Sequence, residues 1–103
     1  MKMKEIASVI RSKNSGPYEL TMDLMFPDDA TFQKVADANI ITKECIARLY
    51  KLRIEDVLSI VVFPKARAIK ATIVRPMASG ALGERDVYGA QQHVPLMELD
   101  VEI

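Results

Sequence analysis

A chain of 103 residues, half of them apolar, has the material for one hydrophobic core, and residues 1–103 are read as a single domain. Its 14 basic residues balance 14 acidic ones. The basic residues are scattered and the only aromatics are three tyrosines and three phenylalanines, which argues against a nucleic-acid binder.

Residues 6–11 (Ile6-Ala7-Ser8-Val9-Ile10-Arg11) are short, rich in β-branched side chains and bounded by polar residues, so they predict a strand. Ser12-Lys13-Asn14-Ser15-Gly16-Pro17 then predicts a break, the turn of an antiparallel hairpin. From Glu19 the pattern alternates: Leu20, Met22, Leu24 and Phe26 face one way, and Thr21 and Asp23 the other, as in a half-buried strand. Asp28 or Asp29 can cap a helix carrying Phe32, Val35 and Ala36 and ending near Asn39. Thr42 caps a second helix, whose apolar stripe is Ile46, Leu49 and Tyr50. Residues 57–63 are almost continuously apolar, which predicts a strand covered on both faces. Pro64-Lys65-Ala66-Arg67-Ala68 turns the chain. Ile69, Ala71 and Ile73 then alternate with Lys70 and Thr72 in a returning strand that Pro76 stops. Leu99, Val101 and Ile103 alternate with Glu98, Asp100 and Glu102, predicting a last edge strand. The order of elements predicts an α+β fold: a mainly antiparallel sheet with two short helices on one face, nearest to a ferredoxin-like two-layer sandwich.

Cys45 is the one cysteine, which rules out an internal disulfide and a multi-cysteine metal site and fits a reduced, cytoplasmic setting. Residues 1–6 carry charge and lack the apolar run of a signal peptide. No stretch reaches the ~18 apolar residues of a membrane span, so a soluble protein with no membrane partner is expected.

Residues 86–96 (Asp86-Val87-Tyr88-Gly89-Ala90-Gln91-Gln92-His93-Val94-Pro95-Leu96) hold the only histidine. His93 is the catalytic candidate, because its unperturbed pKa lies near neutrality. General acid–base chemistry also needs a second group within reach, and Asp86, Tyr88 and Glu84 are near only in sequence. The commoner role for such a histidine is to tie down its own loop or touch a ligand. Gln91 and Gln92 carry amides that suit carboxylates, although paired loop glutamines are also ordinary solvent-facing residues. Arg11 and Arg75 each end a predicted strand. If those strands run in one direction, loops 12–17 and 76–93 leave the sheet together, and Lys13 and Asn14 face Gln91, Gln92 and His93 across an anion pocket. The candidate ligand-binding set is thus Lys13, Asn14, Arg75, Tyr88, Gln91 and Gln92.

Other features carry less. Gly80 and Gly83 lack the Lys-Ser/Thr and following helix of a phosphate loop. Cys45, among Ile46, Leu49 and Leu52, reads as a core residue. Glu98, Asp100 and Glu102 read as edge charges rather than metal ligands. No metal is expected, and the residues name no cofactor.

Residues 12–17, Ala68-Ile69-Lys70, Arg75-Pro76, Ser79-Gly80, Pro95-Leu96 and above all 86–93 carry a resemblance over nearly the whole chain. It is to a family of small bacterial and archaeal proteins that forms a domain of unknown function. That family in turn resembles the ferredoxin-like C-terminal domain of acyclic terpene utilisation proteins. The resemblance implies a small subunit working with a larger protein of that type on a small carboxylate or acyl-CoA substrate. The leading expectation is therefore an accessory subunit of a two-component catabolic enzyme, with loop 86–93 completing a site at the interface. The alternative is a self-associating module that binds small molecules or proteins without catalysis. A complete enzyme built on His93 ranks last, for want of a second catalytic group.

Overall fold

The computed structural model describes residues 1–16, 18–74 and 94–101. Strand β1 (Val9–Gly16) pairs antiparallel with β2 (Glu19–Met25), Val9 opposite Met25 and Gly16 opposite Glu19, so only two residues separate the paired ends. Along β2 the alternation has the expected result: Leu20, Met22 and Leu24 are at most 2% exposed. Thr21 and Asp23, on the other face, are also buried, because β2 has a strand on each side.

The first strand departs from expectation at both ends. Ile6 belongs to a short helix, and the strand continues through residues 12–16, where the composition predicts a break. Pairing is the reason. Ser12, Lys13 and Asn14 each gain a partner on β2, and cross-strand contacts outweigh local turn preference. A bulge between Asn14 and Gly16 absorbs the irregularity that remains.

Helices α2 (Asp29–Asp37) and α3 (Lys43–Tyr50) begin at the expected caps. An Asp28 carboxylate oxygen accepts the Thr31 N–H at 2.7 Å, and the Thr42 hydroxyl accepts the Cys45 N–H at 3.1 Å. Asn39 follows α2 with φ 52°, the left-handed conformation that asparagine tolerates best after glycine. α2 buries Phe32 and Val35, and the Phe32 ring lies 6.2 Å from that of Phe26, in the range of a favourable tilted aromatic pair. α3 buries Cys45, Ile46 and Ala47, while Leu49 and Tyr50 are only partly buried.

Strands β3 (Val57–Phe63) and β4 (Ala68–Val74) form the second antiparallel pair, joined by a 3-10 turn at Pro64–Ala66 and by Arg67 at φ 51°. Arg67 ties this turn to the start of α2: its Nε donates to Asp29 at 2.8 Å and its Nη1 to the Pro27 carbonyl at 3.4 Å. The sheet order is β1-β2-β4-β3, antiparallel throughout. β2 and β3 therefore point the same way, with β4 between them and α2 and α3 linking them, a split β-α-β unit. The fold is α+β, a four-stranded antiparallel sheet with helices. Leu20, Met22 and Leu24 of β2, Ile69, Ala71 and Ile73 of β4, and Phe32, Val35 and Ile46 of the helices meet in one core.

Two further expectations are corrected. β3 is the last strand of the sheet rather than a doubly covered one, and its Leu58, Val61, Val62 and Phe63 are between 40% and 46% exposed. A continuous apolar run does not distinguish a strand covered by its own chain from one left open. The final strand expected over 98–103 is reduced, among the described residues 98–101, to a single bridge between Lys2 and Asp100. Its partner is the short stretch before α1 (Met3–Ile6), too brief to extend a ladder. Instead α1 and a second short helix, α4 (Val94–Met97), close one end of the core with Met3, Leu96 and Val101. Backbone bonds from Met3 to Leu99 at 2.8 Å and from Val101 to Met1 at 2.7 Å join the two chain ends. No helix among the described residues is long and apolar enough to cross a membrane.

Candidate functional site

Of the residues that the sequence singles out, Lys13 and Asn14 lie in the distal half of β1. Arg75, Tyr88, Gln91, Gln92 and His93, with Gly80 and Gly83, lie outside the described residues. The two halves of the expected pocket meet only if β1 and β4 share a direction. They do: each is antiparallel to β2, which lies between them. Gly16 at the end of β1 is opposite Glu19, and Glu19 is opposite Val74 at the end of β4. The chain thus leaves β4 for Arg75 at the same end of the sheet where β1 turns into β2.

Lys13 and Asn14 are neighbours in a strand and so project to opposite faces. Asn14 pairs with Leu20 and shares the core side, where it is half-buried. Lys13 shares the outer side with Arg11, and the register there sets out two rows. One runs Arg11, Asp23, Lys70, Val61; the next runs Lys13, Thr21, Thr72, Ser59. The first row is internally satisfied. Arg11 Nε donates to Asp23 Oδ2 at 3.0 Å, and the Lys70 ammonium lies 6.0 Å from the Phe63 ring centroid, within cation–π reach. The second row sets an exposed ammonium beside three hydroxyls, and Lys13 has no ion-pair partner among the described residues. The Thr21 hydroxyl is buried and donates to the Lys13 carbonyl at 3.3 Å, so the Lys13 ammonium with the hydroxyls of Thr72 and Ser59 is the part of this row suited to a carboxylate or another small anion.

Lys70, Thr21, Thr72 and Asp23 are absent from the set chosen on sequence. Their only signal there is alternation, which marks them as the polar side of two strands. Their alignment with Arg11 and Lys13 depends on register between distant segments.

Other titratable groups serve the scaffold. Burial pushes the Cys45 thiol up, against a smaller opposing influence of Arg48, which suits a core cysteine rather than a reactive one. Burial likewise raises the Tyr50 phenol, partly offset by a backbone hydrogen bond at Leu96. Glu98 and Asp100 pair with Lys4 at 3.0 Å and Lys2 at 3.2 Å, and the described residues contain no cluster of three or more metal-ligating side chains. A hollow of about 450 Å³ between Asp29, Phe32, Gln33, Pro64, Lys65 and Arg67 has two of its three charges joined in the Arg67–Asp29 pair.

Compared with known families, residues 3–100 match the profile described as Domain of unknown function (DUF4387). No curated protein and no solved structure matches the chain.

Proposed function

The chain belongs to that domain-of-unknown-function family, and we propose that within it the protein is an accessory subunit, incomplete as a catalyst by itself, that holds a small carboxylate or acyl-CoA substrate for a larger partner. The observation that carries this reading is the shared direction of β1 and β4. It brings the row of Lys13, Thr21 and Thr72 to the end of the sheet from which the chain enters residues 75–93. Lys13 supplies the charge, and Arg75, Tyr88, Gln91, Gln92 and His93 supply further donors. The ligand is a small free carboxylate or an acyl-CoA, whose negative charge lies on its phosphates rather than on the thioester. The larger partner is a protein of the acyclic-terpene-utilisation type, and the setting is cytoplasmic. A split β-α-β unit is also a component of the ferredoxin-like sandwich, the architecture that the resemblance attributes to the C-terminal domain of that partner class. In the assembled enzyme, His93 acts on the substrate only together with groups from the partner.

Titration calorimetry of the full chain with succinate and with acetyl-CoA tests the binding face. Lys13→Ala should weaken binding by about tenfold, the value of one charge-assisted contact at ~1.4 kcal/mol. Gln92→Ala and His93→Ala should weaken it further with the melting temperature unchanged. Binding that is indifferent to Lys13 would remove the carboxylate from this end of the sheet. A large fall in melting temperature would assign Gln92 and His93 to structure.

A further inference from the structure

Strand β3 ends the sheet, and among the described residues nothing pairs with its outer edge. An edge strand directs unpaired N–H and C=O groups outward, and proteins that remain monomeric blunt such edges with charge, proline, brevity or bulges. The one such feature of β3 is a bulge at its start, between Val57 and Ser59. Its seven residues, Val57–Phe63, include no charge and no proline. Val62, Phe63, Pro64, Lys65 and Ala66 carry the apolar surface on into a shallow depression at the strand's end.

Charge is confined to the flanks, and it is polarised. The 3-10 turn before β3 holds Glu55 and Asp56, with Asp56 paired to Arg53 at 3.5 Å; the turn after it holds Lys65 and leads to Arg67, which is paired to Asp29 at 2.8 Å. Glu55 and Lys65 have no ion-pair partners among the described residues. A neutral strand that has, among the described residues, an unpaired acid, Glu55, at one end and an unpaired base, Lys65, at the other complements an antiparallel copy of itself. A parallel copy would bring like charges together.

We propose that β3 pairs with β3 of a second copy of this chain about a two-fold axis, merging two sheets into one. The bulge between Val57 and Ser59 confines the regular ladder to residues 59–63, whose midpoint is Val61. Centred there, Val61 meets its symmetry mate, Ile60 meets Val62, and Ser59 meets Phe63. Each acidic turn then lies beside a basic turn of the partner copy. Such an isologous contact closes on itself and stops at two chains. It rests on the opposite edge of the sheet from Lys13 and is independent of the carboxylate reading.

Sedimentation equilibrium of the full chain tests the contact. The wild type should be a dimer, and Val61→Lys should weaken it by about tenfold or more in Kd while the circular dichroism spectrum is unchanged. Glu55→Lys and Lys65→Glu, both at exposed positions, should each weaken the dimer, and the double variant should recover it. These exchanges decide the matter if Val61→Lys does not fold. A wild type that stays monomeric from micromolar to millimolar concentration overturns the proposal, as does a dimer indifferent to the charge exchanges.

Discussion

At one edge of the sheet, β1 alternates Val9, Arg11 and Lys13 on its outer side and carries a bulge at Asn14 and Gly16; at the other, β3 runs through Leu58, Ile60, Val61, Val62 and Phe63 without a charge. Each edge strand carries a bulge, at the far end of β1 and at the start of β3, yet only β1 adds charges that deter another strand from joining. Charge on β1 serves two ends at once: Arg11 closes over Asp23, and Lys13 is left for solvent or a ligand. The difference separates two roles within one small sheet. On the two proposals, the charged edge takes a small anion and the neutral edge takes another chain.

The largest effect is expected where the two edges are tied together. Ile73 lies opposite Leu20 on β2 and Val57 on β3 and is 2% exposed. Ile73→Ala should cost about 2–5 kcal/mol in urea unfolding, through lost burial and the cavity left behind. It should weaken both edges alike, and a loss under ~1 kcal/mol would mean that the core closes over the gap.

A sharper contrast comes from making β1 resemble β3. The double substitution Arg11→Val and Lys13→Val removes the charges that guard the first edge. With both edges neutral the chain should assemble beyond the dimer, visible as a rising mass in light scattering with protein concentration. Assembly that still stops at two chains would show that the bulge alone protects β1.

The smallest effects are those of pH, and they act on the helices rather than the edges. Hydrogen bonds from Thr31 hold the Asp28 carboxyl below its ordinary value. A carboxylate with a lowered folded pKa contributes stability that is present above the unfolded value, about 3.9, and lost as pH falls through the folded one. Cys45 is raised by burial, and so is Tyr50. Their contribution is present below the ordinary thiol value of 9.0 and lost as pH rises. The urea midpoint should therefore form a plateau that falls at both extremes. Asp28→Asn should flatten the acid limb, and Cys45→Ala should flatten part of the alkaline one.

Much of the scaffold was legible in the residues themselves. β2 and β4 announce themselves by alternation, and α2 and α3 by Asp28 and Thr42 at their caps. These are local signals, each carried within a few residues. What escaped was set by partners distant in sequence. Residues 12–16 look like a turn until β2 offers them a ladder, and residues 99–101 look like a strand until their partner proves too short. The exposure of β3 follows from its place in the sheet, which an apolar run does not encode. The candidate site divides in the same way. Lys13 and Asn14 could be named from the sequence, but Thr21 and Thr72 join Lys13 only through register, where a slip of one residue would turn them to the other face. The readings of Arg75, Tyr88, Gln91, Gln92 and His93 lie outside the described residues.

The difference between the edges is tested most directly by oxidative cross-linking in a Cys45→Ala background. Val9 on β1 and Val61 on β3 are each 40% exposed, so their cysteine variants are matched in access to solvent. In the antiparallel contact centred on Val61 the two symmetry-related Cα atoms lie about 4.5–5.5 Å apart, within the span of a disulfide. The expected result is rapid, near-complete covalent dimer from Val61→Cys and monomer from Val9→Cys. Equal rates from the two variants, or faster linkage through Val9→Cys, would contradict it.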